Sequence, residues 1–225
     1  MLLGSDVLLG PDPPDSDYLE AYRQLRASLL ALRNEQDFRS VLITSASDGE
    51  GKSTVALNLG TVLAFSSRSS ICVDLDLHRP ALHEPVGVPL EPGITDVLSG
   101  RADLEAAIHD TGIPGLQFIS AGSQYQQRAD ILGVQSAEAV FERISESAEF
   151  IIVDSAPVLD FAVSQELARM VDMCIVVARA RRGIAAVVGA CEMLEDVGGV
   201  VAGIVVNDIL PEDSTAAAQA YYEAP

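Results

Sequence analysis

The sequence predicts an α/β protein with a mostly parallel, doubly wound sheet and helices on both faces, an arrangement of three layers. Short apolar runs rich in β-branched residues recur along the chain, and they are nearly continuous, as strands buried on both faces are. Segments with helical periodicity lie between these runs, and repeated strand–helix–strand order gives a parallel sheet. A length of 225 residues suits one domain of this class.

Six strands and six helices are predicted from these patterns. The predicted strands are 40–44, 70–75, 116–120, 150–154, 173–178 and 203–207. The predicted helices are 17–34, 52–65, 102–110, 136–147, 162–170 and 184–196. Asp17 is the expected N-cap of the first helix, because it directly precedes the apolar positions that recur at helical spacing.

The domain is expected to span 18–207. Residues 1–17 are rich in Pro and Asp and are predicted to form a flexible arm, and 208–225 lack a hydrophobic period and are predicted to form a mobile tail. No stretch approaches 18 apolar residues and the start lacks a positive segment, so neither a membrane span nor a signal peptide is expected.

The charge balance argues against binding to nucleic acid or anionic lipid. The chain has 33 acidic and 14 basic residues and a formal charge of -19, whereas both of those partners favour Lys and Arg. The three cysteines are odd in number and far apart, which predicts reduced thiols in a cytoplasmic protein. Every basic residue except Lys52 is an arginine, which makes position 52 the first candidate for a functional lysine.

The segment 46–53, ASDGEGKS, follows the first predicted strand and opens the second predicted helix. It fits the phosphate-loop pattern G-x-x-x-x-G-K-[ST], with Ala at the first position. Gly49 and Gly51 allow backbone N–H groups to turn inward around a phosphate at the helix N-terminus. Lys52 is expected to reach the β and γ phosphates, and the Ser53 hydroxyl is expected to bind Mg²⁺. The pattern is typical of P-loop NTPases.

Three aspartates follow predicted strands. Asp74 and Asp76 end the second strand and point to the same face, and Asp154 ends the fourth. Because parallel strands present their carboxyl ends along one edge, these carboxylates are expected to face the phosphate loop. They are candidates for Mg²⁺ ligation and for orientation of an attacking hydroxyl. Singly, each is also explained as a helix cap or a solvated strand end.

Taken in order, five segments resemble the bacterial tyrosine kinases of capsule and exopolysaccharide export, which are relatives of the Min/Par-type ATPases. The segments are EAYRQLR (20–26), SASDGEGKST (45–54), CVDLDLHRP (72–80), GITDVLSG (93–100) and IIVDSAP (151–157). The resemblance covers about 18–207. It departs from the family at Asp48, where a proline is common, and at His78, where an arginine is common.

The resemblance implies ATP and Mg²⁺ as cofactors. It assigns catalytic roles to Lys52, Asp74, Asp76 and Asp154, with Asp74 as acceptor of the substrate hydroxyl proton. It assigns nucleotide binding to Asp48, Gly49, Glu50, Gly51, Lys52, Ser53, Thr54 and Asn207. The metal would be held by Ser53, Asp76 and Asp154. Asn207 corresponds to a frequent adenine contact, although an Asn that closes a strand is equally often a turn former.

The resemblance also implies a homo-oligomeric ring and phosphorylation of the tail in trans. Glu20, Arg23 and Arg26 would contact a neighbouring subunit, and a local Glu20–Arg23 ion pair is the simpler alternative. Tyr221 and Tyr222 would be the phosphoacceptors, and their alternative is packing on their own domain. Two tail tyrosines are fewer than the family usually has.

A membrane-bound activator protein of a polysaccharide export system is the implied partner, and it would recruit the cytoplasmic chain to the inner face of the membrane. The arginines at 179, 181 and 182 either meet an acidic partner or form a solvated loop. The leading hypothesis is thus an ATP-dependent protein-tyrosine autokinase that regulates polysaccharide synthesis and export.

Two alternatives stay open. One is a Min/Par-type ATPase that acts as a dimerisation or positioning switch, but that class has a second lysine early in the loop, and this chain has only Lys52. The other is a weakly catalytic, nucleotide-binding scaffold of the exporter, which the sequence does not separate from a slow kinase.

Overall fold

The computed structural model describes residues 8–13, 16–123 and 136–209. Tyr221 and Tyr222 lie outside the described residues, so their predicted role as phosphoacceptors stays a prediction. Among the residues that are described, no helix combines the length and the apolar character that crossing a bilayer requires.

A single seven-stranded sheet forms the centre of the molecule. Its strands are β1 (Ser40–Ser45), β2 (Ser70–Leu75), β3 (Ile108–Asp110), β4 (Leu116–Ile119), β5 (Phe150–Ser155), β6 (Met173–Arg179) and β7 (Val201–Asn207). Their order across the sheet is β3-β4-β2-β5-β1-β6-β7. Every pairing is parallel except that of β3 with β4. All six predicted strands are therefore present, and the doubly wound fold is confirmed.

Eight helices connect these strands in the described part of the chain. They are α1 (Asp17–Glu35), α2 (Lys52–Phe65), α3 (His83–Val86), α4 (Ile94–Leu98), α5 (Leu104–Ala107), α6 (Ser136–Ser147), α7 (Ala162–Met170) and α8 (Ile184–Asp196). Five of the six predicted helices match to within one residue. The two core clusters lie on opposite faces of the sheet, one under α1 and α2 and the other under α4, α6, α7 and α8.

The predicted helix 102–110 is wrong in its second half. Only α5 is helical there, and the next residues form β3, whose Ile108 pairs with Ile119 of β4 in an antiparallel ladder. Leu104 and Ala107 are buried, which accounts for the helical pattern. Three residues at the edge of a sheet carry too short a pattern to be recognised locally, and their pairing with β4 decides the conformation.

The first helix begins with a different cap from the one predicted. Ser16, in an extended conformation, accepts a hydrogen bond from the Leu19 N–H at 3.1 Å through its hydroxyl. Asp17 is instead the first residue of α1. A carboxylate in the first turn is favoured by the helix dipole, and a serine is as good a cap as an aspartate.

The helix that follows the phosphate loop is central to the packing. Nearly all of α2 is buried, since it lies between the sheet and α1. Gly60 allows the close approach to β2, because a Cβ there would lie 2.5 Å from the sulfur of Cys72. Leu9 is also buried, and its N–H donates to Oδ1 of the buried Asn58 at 2.9 Å, which attaches that part of the N-terminal arm to α2.

Candidate nucleotide-binding site

The segment between β1 and α2 forms a tight loop at the carboxyl edge of the sheet. Gly49 has φ +75° and Gly51 has φ +95°, a region that L side chains rarely adopt. α2 begins at Lys52, so the loop ends at the positive end of a buried helix. This is the arrangement of backbone N–H groups and helix dipole that binds phosphate.

The outer side of the loop is held by residues from β6, β7 and the turn after β6. Arg182 donates through Nη1 to the carbonyl oxygen of Asp48 at 3.1 Å and to Oε1 of Glu50 at 2.8 Å. The other carboxylate oxygen of Glu50 accepts from the backbone N–H of Arg179. Asn207 donates through Nδ2 to the carbonyl oxygen of Glu50 at 3.0 Å. The side chains of both arginine and asparagine thus bind loop carbonyls.

The loop is also joined to the segment after β2. Arg79 donates to the Asp48 carboxylate at 3.1 Å, and both side chains are largely exposed. The neighbouring His78 places its ring 3.8 Å, centroid to centroid, from that of Phe161 at the start of α7. The two positions at which the chain departs from the resembled family, Asp48 and His78, therefore both have defined partners.

The three predicted aspartates come together at this edge. Asp74 of β2 and Asp154 of β5 are direct neighbours in register, and they are 1% and 2% exposed. Oδ1 of Asp74 accepts from the Asp76 N–H at 3.1 Å. Asp76 is buried as well, and its Oδ1 accepts from the backbone N–H of Arg79 at 3.0 Å. The prediction that the three carboxylates share one edge is confirmed.

The closeness of these carboxylates changes their acidity. Burial raises the pKa of Asp74 well above its ordinary value, and the charges of Asp154 and Asp76 add to the rise. Burial also raises the pKa of Asp154 to about 7, while the Ser53 hydroxyl and the Lys52 ammonium oppose the rise. The site therefore places buried carboxyl groups of raised pKa beside a buried lysine, which is 6% exposed.

The chemistry of the donor groups suits a magnesium ion. Ser53 hydrogen-bonds Asp154, and Oδ1 of that buried carboxylate has no hydrogen-bond partner among the described residues. Mg²⁺ prefers oxygen ligands, retains several waters and uses one or two carboxylates together with substrate phosphates. Among the residues described, no group of three His, Cys, Asp or Glu side chains is arranged to hold a metal ion by itself. Ser53, Asp76 and Asp154 are the residues that would hold the ion.

The remaining predicted site residues lie in α2, at the end of β7 and in α1. Thr54 is buried in the first turn of α2, and the Asn207 amide nitrogen binds the loop. Glu20 and Arg23 form an exposed ion pair at 3.5 Å, while Arg26 donates to the carbonyl oxygen of Val62 at 3.1 Å within the same chain. The local pair that the sequence left as an alternative is thus present, and the intersubunit role stays a prediction.

The segment 93–100 has a structural role at the sheet edge. Asp96 accepts from the N–H groups of Gly93 and Ser123 at 3.0 and 3.1 Å, and Arg101 donates two hydrogen bonds to it. A Cβ on Gly122 would lie 2.7 Å from the Asp96 carboxylate. Asp96 therefore joins the start of α4 to the segment that follows β4.

Sequence reasoning missed the contribution of Arg182. The sequence predicts a solvated loop or a contact for an acidic partner at the arginines 179, 181 and 182. In the structure, Arg182 and Glu50 pair across 132 positions of sequence. No local pattern encodes such a contact; the acidic residue between the two loop glycines is the one signal that could have indicated a basic partner.

The fold and the site define a P-loop nucleotide-binding domain. No protein-family model matches the chain. The chain is similar to the tyrosine-protein kinase Ptk of Acinetobacter johnsonii, with 28% identity over 196 residues, which are 87% of this chain. It is also similar to the putative tyrosine-protein kinase CapB of Staphylococcus aureus, with 24% identity over 212 residues, 94% of this chain. The chain spans 27% of the length of Ptk and 92% of CapB.

Solved structures agree with this similarity. The kinase domain of the Escherichia coli tyrosine kinase ETK superimposes with a TM-score of 0.86 and 27% identity, covering 89% of this chain and 79% of that domain. The septum site-determining protein MinD of Pyrococcus horikoshii, complexed with Mg-ADP, shares the fold with a TM-score of 0.65 and 24% identity, covering 83% and 78%. The chain is therefore similar to the bacterial tyrosine kinases in sequence and in structure, as its motifs indicate.

Proposed function

We propose that the protein is an ATP-dependent protein-tyrosine kinase. The observation that carries the proposal is the meeting of Lys52 and Ser53 of the phosphate loop with the buried pair Asp74 and Asp154. A loop of this kind binds phosphates, and a buried carboxylate of raised pKa can accept a hydroxyl proton. The similarity to tyrosine kinases over most of the chain supports tyrosine as the acceptor.

In the proposed reaction, the loop N–H groups and Lys52 hold the β and γ phosphates of ATP. The tyrosine oxygen forms a bond to the γ phosphorus while the bond from that phosphorus to the bridging oxygen of ADP breaks. The hydroxyl proton goes to the Asp74 carboxylate, and ADP leaves. Mg²⁺, held through Ser53, Asp76 and Asp154, supplies charge neutralisation at the phosphates. Lys52 adds a fixed positive charge where negative charge develops.

We further infer that the substrate is the chain's own tail, at Tyr221 and Tyr222, phosphorylated in trans within a ring formed through Glu20, Arg23 and Arg26. Each phosphate adds roughly -1.5 to -2 charges, which favours release of subunits that are already acidic. The proposed partner is a membrane-bound activator of capsule or exopolysaccharide export, which would recruit the chain to the cytoplasmic face of the membrane.

The test is incubation of the purified protein with ATP and Mg²⁺, with and without an activator's cytoplasmic tail, followed by mass-spectrometric mapping of phosphate. Lys52→Met is the blank, because it removes the phosphate-binding charge. Phosphate on Tyr221 or Tyr222 that is absent from the blank is the expected result. Release of inorganic phosphate with unmodified tyrosines would favour the ATPase switch instead. Nucleotide binding without phosphotyrosine and without release of phosphate would favour the weakly catalytic scaffold.

A further inference from the structure

The outer side of the phosphate loop carries a contact that the proposed reaction does not use. Nη1 of Arg182 bridges two acceptors that flank Gly49 in sequence, the Asp48 carbonyl oxygen at 3.1 Å and Glu50 Oε1 at 2.8 Å. A Cβ on Gly49 would lie 3.8 Å from Nη2, so the guanidinium passes close over the turn of the loop. The Glu50 side chain is 6% exposed and that of Arg182 is 45% exposed.

This contact fixes the direction of a peptide group. In a planar trans peptide, the carbonyl of one residue and the N–H of the next point in opposite directions. With the Asp48 carbonyl bound to Arg182, the N–H of Gly49 points away from the guanidinium. Asn207 has the same effect on the peptide group between Glu50 and Gly51. Its side-chain amide donates to the Glu50 carbonyl at 3.0 Å, so the N–H of Gly51 points away from Asn207.

Hydrogen bonds also fix the segment that carries Arg182 and Asn207, which consists of the ends of β6 and β7 and the turn after β6. Ala180 donates through its N–H to the Asn207 carbonyl at 2.8 Å, which joins the ends of β6 and β7. The N–H of Arg182 donates to the Arg179 carbonyl at 3.2 Å and closes the turn. The backbone N–H of Arg179 binds the second oxygen of Glu50. The phosphate loop is therefore held by hydrogen bonds to the ends of β6 and β7 and to the turn after β6.

We propose that Arg182, with Glu50, is a positioning residue for nucleotide binding: it holds the loop's peptide groups with their N–H bonds toward the phosphate site. This inference rests on the proposed function of the loop. Arg182 does not touch the γ phosphate in this role, so it acts on nucleotide affinity and not on the transfer step. ATP and ADP should depend on it equally, because the α and β phosphates are common to both.

The experiment is a fluorescence titration of the full chain with mant-ADP and mant-ATP, with Mg²⁺. Arg182→Ala is expected to raise the Kd of both nucleotides by about tenfold, the size of effect that a charge-assisted hydrogen bond gives. Arg182→Lys keeps the charge and reaches one acceptor, so it should restore part of the affinity. In kinase assays the KM for ATP should rise by the same factor while kcat changes by less than about twofold.

The matched control is Arg143→Ala, which removes a similarly exposed arginine from an ion pair with Glu105, away from the loop. Its Kd should equal that of the wild type. Glu50→Gln is the second variant, because it weakens the same contact without removing Arg182. If Arg182→Ala and Glu50→Gln both bind within twofold of the wild type, the inference is overturned while the nucleotide site stands. If the wild type itself binds no mant-nucleotide, the proposed function fails first.

Discussion

Asp74 and Asp154 occupy facing positions on the adjacent parallel strands β2 and β5, and both are buried. Burial raises the pKa of both groups, and the charge of Asp76 adds to both rises, while the charge of Asp154 adds further to that of Asp74. Natural domains tolerate such an arrangement where function needs it, because charges that destabilise the free protein are neutralised by the ligand. Asp172 is the opposite case: at the other end of the sheet, its Oδ2 accepts from the N–H groups of Arg39 and Ser40 and from the Ser40 hydroxyl.

Asp154→Asn should therefore stabilise the nucleotide-free protein by about 1–2 kcal/mol, because it removes a buried like charge. The same variant should lose the extra thermal stability that MgADP gives the wild type. Asp172→Asn should instead lower the free energy of unfolding by about 1–2 kcal/mol, because it weakens charge-assisted hydrogen bonds. Thermal and urea unfolding with and without MgADP measure both. A change in the free energy of unfolding with the same sign in both variants would contradict the different roles assigned to Asp154 and Asp172.

The loop glycines should differ in their tolerance of alanine. Gly51→Ala is expected to abolish nucleotide binding and lower the Tm, since φ is +95° and a Cβ would lie 2.0 Å from the Asn207 amide nitrogen. Gly49→Ala carries the cost of φ +75° without a close contact, and should bind more weakly but measurably. Gly183→Ala, where nothing lies within 4 Å, is the control. Differential scanning calorimetry and nucleotide titration give the ranking; a Gly51→Ala variant that binds normally would refute it.

The stability of the protein in acid should depend on Asp96. Burial alone raises the pKa of this carboxyl, but hydrogen bonds from Ser123, Arg101 and Gly93 outweigh it and lower the pKa to about 2. The pKa of the folded state is then below that of the unfolded chain, so the contribution is complete above pH ~4 and is lost as the pH falls toward 2. It amounts to roughly 2 kcal/mol.

Asp96→Asn tests this with urea unfolding between pH 2 and 7. The variant should be less stable than the wild type at pH 7, and the difference should shrink steadily below pH ~4. A difference that is constant over the whole range would mean that packing, and not the charge, accounts for the effect.

Substitutions of the two α1 arginines should distinguish a contact within the chain from a contact between subunits. Arg26→Ala should lower the free energy of unfolding by about 1 kcal/mol, because Arg26 donates to Val62 within the chain. Arg23→Ala removes an exposed pair with Glu20 and should change stability by less than about 0.5 kcal/mol. If the helix forms a ring, Arg23→Ala should nevertheless reduce the mass of the wild-type oligomer in light scattering. An oligomer mass that is unchanged in Arg23→Ala would contradict the intersubunit role and leave the ion pair with Glu20 as the role of Arg23.

The sequence predicted what local chemistry determines. The continuous apolar runs predicted every central strand, and the glycine spacing around Lys52 predicted the phosphate loop. Carboxylates at strand ends converge in any parallel sheet, so Asp74, Asp76 and Asp154 could be placed at one edge before the register was known. The strand Ile108–Asp110 could not be predicted, because its conformation depends on pairing with β4.

Contacts between distant segments were also beyond the sequence. The Arg182–Glu50 pair and the attachment of Leu9 to Asn58 join segments that no periodicity relates. Charged side chains on a loop have many possible partners, and only the folded geometry selects among them.

The most direct test of the central claim is calorimetric titration of the wild type and Lys52→Met with a non-hydrolysable ATP analogue, in the presence and absence of Mg²⁺. One Mg²⁺-dependent site per chain is expected in the wild type, with at least about 100-fold weaker binding in Lys52→Met, because the variant lacks the charge that holds the β and γ phosphates. Binding of equal strength in the two proteins, or no binding by the wild type, would contradict the assignment of the loop as a nucleotide site.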